Sequence, residues 1–290
     1  MKNESLASRI RAFQLYVSDH DARRSASWPR AQLMIQQIAE MLSKRISDVP
    51  PLNLRMAAMA LNIRVVSRRT HLRTHHGSLV PVVGGFEAVI FTSEEVPAGN
   101  TQSDLRMPED SDLTLQLPRR GRFTLAHEIG HALFYSLSRD HVPRRITHAP
   151  TRNSPGHWRE EGLCHAFARA LLIPSMWGSA VGAEPRFETL IEASSLFRVS
   201  GEALIHRLLY DWHKWSNVVV IQISFSESTP RVRVFRGVER VREKTFTRAK
   251  IENVIRGAAT PLEAANFLVM TLGLPERSVL ARRLSVWAIA

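Results

Sequence analysis

The chain has 290 residues, 44% hydrophobic and 23% charged, the balance of a globular protein rather than a disordered one, with length for one large domain or two modest ones. No apolar run reaches the roughly 18 residues of a membrane span, the polar start MKNESLASRIRAF lacks the apolar core of a secretory signal, and the single cysteine, Cys164, excludes an internal disulfide; the expected location is the cytoplasm. Lys and Arg outnumber Asp and Glu by 39 to 27, and the formal charge of +12 is spread over several segments, so the expected surface is basic and open to polyanions, nucleic acid among them.

Residues 1–50 read as helical, because SLASRIRAFQLYV and WPRAQLMIQQIAEMLSKRI place apolar residues at mixed spacings of three and four, and Asp48-Val49-Pro50-Pro51 closes this unit. LNLRMAAMALNIRVV then predicts a short helix running into a strand, and GSLVPVVGGFEAVIFTS predicts two strands about a Gly84-Gly85 turn. Residues 96–118 are rich in turn formers and acids and read as a mobile loop. From Gly121 the pattern is helical through Leu137, and HWREEGLCHAFARALLIP predicts a second helix ended by Pro174. Two more helices follow around Val199-Ser200-Gly201, with Ser200 as N-cap. After Ser216, NVVVIQISF and RVRVFRGV alternate as strands, and LEAANFLVMTLGLP is helical again. The expected organisation is therefore an N-terminal helical segment over 1–50, a core over 51–215 and a small C-terminal α/β domain over 216–290.

The chemistry concentrates in FTLAHEIGHALFY, residues 123–135. Four residues on a helix turn through about 400°, so His127 and His131 project from nearly one face and can offer two imidazole nitrogens to one metal ion. Glu128 lies between them in angle, too close in sequence to be an easy third ligand but suited to take a proton from a water at the metal. Zinc matches two imidazoles plus a carboxylate with one position left open. The rest of the helix is apolar, so three polar residues buried in it need partners, and Gly130 costs roughly 1 kcal/mol relative to alanine unless something approaches closely there. The third ligand is expected from REEGLCHAFARALLIP, where Glu161 and His165 share a face, His157 lies a turn earlier and Glu160 points about 100° away. Glu161, His165, His157 and Cys164 are all chemically able to bind zinc, and the spacing does not choose among them.

RFTLAHEIGH at 122–131 and EGLCHAFARALLIP at 161–174 together resemble the ImmA/IrrE-type zinc metallopeptidases, whose pattern is approximately RRFTLAHELGH, a gap, then ExxANxFAxxLLMP. VSGEALIHRL at 199–208 is similar to that family's VSxxALxxRL segment, and the likeness covers roughly residues 52–210. The resemblance implies an α+β fold, mostly helical, with a zincin-like metallopeptidase core and a small β-sheet, to which the C-terminal α/β domain is added. It implies one zinc ion held by His127, His131 and Glu161, with Glu128 as general base. The implied activity is that of a gluzincin-like endopeptidase cutting a protein such as a DNA-binding transcriptional repressor in stress responses or mobile-element control. Two positions depart from the pattern: His165 stands where the family usually has Asn, and Cys164 where it usually has Ala. His165 is expected to hydrogen-bond around the metal or donate to the oxyanion, with displacement of Glu161 as the competing role. The oxyanion donor is sought among Arg122, His157, His165, His206, His213 and Tyr135. A reading from a different class, a zinc-containing DNA-binding or regulatory protein with little or no peptidase activity, is motivated by the basic charge and the helical pair at 187–213. It leaves Glu128 without a purpose, since a structural zinc site closes its shell with four protein ligands.

Overall fold

The computed structural model describes residues 5–23, 28–69, 77–92, 114, 117–136, 140–147, 154–181, 187–214, 219–225, 230–236, 279–282 and 285–289. Nearly all of the loop expected at 96–118 and the helix expected at 262–275 lie outside the described residues. The chain divides into two compact units, Met1–Gly178 with Leu196–Val199, and Ser179–Ser195 with Ser200–Ala290. The fold is α+β and mostly helical, with a small three-stranded sheet in the first unit. Among the described residues no helix is long and apolar enough to cross a membrane.

The first unit begins with α1 (Leu6–Arg23) and α2 (Trp28–Ile46), which pack on each other. Ala31, Ile35, Ile38, Ala39 and Leu42 form the buried stripe of α2, the helical spacing the sequence predicts. Helix α3 (Leu54–Met59) starts where the Asn53 side chain accepts the Met56 N–H, satisfying a donor that the first turn leaves free. It feeds β1 (Ile63–Arg69), followed by β2 (Gly77–Val82) and β3 (Gly85–Thr92). The sheet order is β1-β3-β2, with β1 parallel and β2 antiparallel to β3, so β2 is an edge strand. Gly84 in the connecting turn has φ 81°, a conformation that glycine adopts without a Cβ penalty.

Helix α4 (Arg119–His131) lies beside β2 and β3, and α5 (Pro155–Leu172) packs against both α4 and α2. Phe13, Ile35, Ile38, Leu125, Ile129, Phe167 and Leu171 are all completely buried in the core of this unit. Helix α5 is capped by Ser154, whose side chain accepts the His157 N–H, and ends just before Pro174. The first motif helix stops short of the predicted Leu137: after His131 it tightens to a 3-10 turn over Ala132–Phe134, and Tyr135 becomes extended. Tyr135 bridges Arg145, with the Ser136 N–H donating to the Arg144 carbonyl (2.8 Å) and the Ile146 N–H to the Phe134 carbonyl (3.0 Å). Pairing with a segment ten residues away has overridden local helical preference.

The second unit contains most of α6 (Phe187–Leu196) and all of α7 (Gly201–His206), which continues as a π turn over Arg207–Asp211. Ser200 caps α7 by accepting the Ala203 N–H, as its place before the helical run predicts. Strands β4 (Val219–Phe225), β5 (Pro230–Arg236), β6 (Val279–Arg282) and β7 (Ser285–Ile289) form an antiparallel sheet of order β5-β4-β7-β6.

Candidate metal centre

The two motif helices cross at very short range, and Gly130 permits it. A Cβ added there would lie 3.3 Å from the Cys164 Cα and 3.2 Å from Cδ1 of Phe167. The backbone approach that the lone helical glycine implied is therefore that of α5 itself. At this crossing His127 and His131 of α4 face Glu161 of α5.

The Nε2 atoms of His127 and His131 are 3.1 Å apart; Oε2 of Glu161 is 3.1 Å from the first and Oε1 is 3.4 Å from the second. Ligands at 2.0–2.1 Å from a tetrahedral zinc are separated by about 3.3 Å, so the three donors already stand at the spacing of one coordination shell. Two imidazole nitrogens this close repel if both carry lone pairs, and a proton or a cation between them removes the repulsion. The Nδ1 of His127 is buried without a hydrogen-bond partner among the described residues, so that ring's polar contacts are all made through Nε2. His165 also enters the cluster: one ligand atom each from His127, Glu161 and His165 lie within 4.8 Å of one another, and this group can hold a metal ion. Between His131 and His165 as partner of His127 and Glu161, the shorter contacts belong to His131.

Charge is distributed unevenly over the cluster. Hydrogen bonds from His127 and His131 hold the Glu161 carboxyl far below the usual carboxylate range. Burial raises the pKa of Glu128, with the nearby histidines tempering the rise. Burial opposes a charge on His131, but the Cys164 thiol and the Glu160 and Glu161 carboxylates beside it outweigh that and hold its pKa well above the imidazole value. The Cys164 thiol is itself pushed up by burial, with His131 tempering the rise. His165 is solvent-exposed on one side, yet its ring lies against those of His127 and Phe123, and partial burial followed by His127 and Arg169 lowers its pKa to about 4.

Glu128 sits beside the edge strand and accepts a backbone hydrogen bond from Leu79. Strand β2 can run this close because residue 77 is glycine: a Cβ there would be 2.6 Å from Cγ2 of Thr124 and 3.2 Å from Cγ of Glu128. Together they border a cleft of about 320 Å³ lined also by Ser78, Tyr135, Arg145 and His157. His157 is half-buried, with Nδ1 3.9 Å from Oε1 of Glu161. Of the candidate oxyanion donors, Tyr135 and His157 line this cleft, whereas His165 does not and packs against the His127 ring. Arg122 is fully buried and does not line the cleft, donating instead to the carbonyls of Thr114 (3.0 Å) and Leu52 (2.8 Å), a tie between α4 and the approach to α3. His206 and His213 belong to the second unit.

Two participants escaped the sequence reading. Glu160 is buried, places Oε1 3.0 Å from Nδ1 of His131, and ion-pairs through Oε2 with Arg145. The helical angle that turns Glu160 away from Glu161 carries it around to the opposite edge of the same imidazole. The signal was present in two adjacent carboxylates facing a histidine with two nitrogens to satisfy; the place of Arg145 depends on the Tyr135 bridge, which leaves no trace in the local pattern. No protein-family model matches the chain, and no curated protein matches it.

Proposed function

We propose that this protein is a zinc-dependent endopeptidase of the ImmA/IrrE type, acting on a protein substrate such as a DNA-binding repressor. The observation that supports it best is the convergence of His127, His131 and Glu161 at the spacing of a tetrahedral shell, with Glu128 beside them on an open cleft. The likeness of the two motifs supplies the reaction class. Zinc at this position would polarise a scissile carbonyl and acidify a water. Glu128 would serve as the base, taking a proton from a water in the cleft and returning it to the leaving amine; its raised pKa suits a group that must hold a proton between those events. Tyr135 and His157 line the cleft, and either could donate toward a developing oxyanion there. Ser78 and Leu79 of the edge strand β2 line the same cleft, and an extended peptide is the substrate form that would pair with such an edge.

The test compares wild type with Glu128→Gln for bound zinc and for cleavage of a repressor encoded nearby. The variant is expected to keep the metal and lose cleavage by about 100-fold or more. A variant that holds zinc and cuts as well as wild type removes Glu128 as the base.

A further inference from the structure

We propose that Glu160 and Arg145 are positioning residues that fix His131 with its Nδ1 protonated and its Nε2 lone pair turned to the metal. The inference rests on His131 being a metal ligand. An ionised carboxylate only accepts, so the His131 nitrogen 3.0 Å from Oε1 of Glu160 must carry the hydrogen; in the neutral ring the other nitrogen then keeps its lone pair. That other nitrogen is the one facing His127 and Glu161.

Glu160 is only 8% exposed, and a buried carboxylate needs a partner to remain charged. Arg145 is that partner: it pairs with Oε2, leaving Oε1 for the imidazole. The guanidinium is aimed by its segment. The hydrogen bonds from Ser136 to Arg144 and from Ile146 to Phe134 bracket residue 145, and its guanidinium lies 5.4 Å from the centre of the Tyr135 ring. His131 is thereby held between consecutive residues of α5, Glu161 toward Nε2 and Glu160 at Nδ1. Glu160 touches no substrate in this scheme; it acts through the ring.

The test uses the full chain stripped of metal and titrated with Zn²⁺ against a chromophoric chelator, with the His131 ring nitrogens followed by NMR and assigned by their loss in His131→Gln. Glu160→Leu is expected to weaken zinc binding by about 10- to 100-fold and to remove the hydrogen-bonded Nδ1 proton signal. Glu160→Gln keeps an acceptor, so a smaller loss and a shifted Nδ1 proton are expected. Arg145→Met weakens binding, and Arg145→Lys restores part of it by restoring the charge. Glu160→Leu that folds and binds zinc like wild type overturns the proposal, as does an Nδ1 proton unmoved in Glu160→Gln, a variant that carries the test if the leucine protein does not fold. A wild type that binds no zinc overturns the metal centre itself, a result distinct from loss of the positioning effect alone.

Discussion

Alanine at position 130 sets a gain in helix propensity against a collision. The gain is about 1 kcal/mol, the usual difference between glycine and alanine inside a helix. Against it, the new methyl would meet Phe167 Cδ1 at 3.2 Å, the Cys164 Cα at 3.3 Å and the Cys164 Cβ at 3.4 Å. Phe167 is fully buried and Cα is backbone, so no flexible side chain can absorb the contact; α5 must shift by a few tenths of an ångström against α4. Such overpacking costs about 1–3 kcal/mol, and the net expectation is a loss of about 1 kcal/mol. Glu161 lies one turn before Cys164, so the same shift opens the 3.1 and 3.4 Å separations between its oxygens and the two Nε2 atoms. A strain of about 1.4 kcal/mol at the metal is tenfold in affinity. Denaturant unfolding of the metal-free protein and competitive zinc titration measure the two effects. If Gly130→Ala is more stable than wild type by about 1 kcal/mol and binds zinc equally well, the close-crossing argument is refuted.

Glu161→Ala is expected to lose zinc while His165→Ala keeps it, read by metal content after dialysis; the reverse pattern would transfer the third ligand to His165. The pH dependence of the metal-free protein is set partly by His131. Its folded pKa is raised, so its contribution to stability is complete below the unfolded imidazole value of about 6.5 and is lost as pH rises through the folded value. The stability difference between wild type and His131→Gln should therefore shrink on going from pH 6 to alkaline conditions, and a difference that grows with pH contradicts the assigned sign. Glu161 works in the opposite direction: its folded pKa is lowered, and its contribution holds above the usual carboxylate value of about 4.3 and is lost as pH falls through the lower one. Because zinc must displace the His131 proton, measured zinc affinity should rise with pH across the neutral range.

What could be read in advance was what helical angle and spacing determine. His127 and His131 share a face because four residues make slightly more than one turn, and Ser200 and the Gly84 turn follow from backbone hydrogen bonding and steric freedom. What could not be read depends on contacts distant in sequence. Arg122 precedes the metal motif and looked like a candidate for the chemistry, yet its guanidinium reaches the Leu52 carbonyl 70 residues away and serves the fold. Gly77 reads as an ordinary strand start until α4 is laid beneath it. The division of labour between Glu160 and Glu161 needed the position of the imidazole between them, since nothing in two adjacent identical residues distinguishes one from the other.

The side chains that could hold a metal come from two helices that are also walls of the core, so a cation gripped between them would act as a clasp on the fold. At a free metal concentration a thousand times the dissociation constant, such binding adds about 4 kcal/mol to the folded state, a substantial fraction of what usually holds a domain together. If the proposed centre binds its metal, metal supply would govern how long the chain survives proteolysis as well as any activity that depends on the metal.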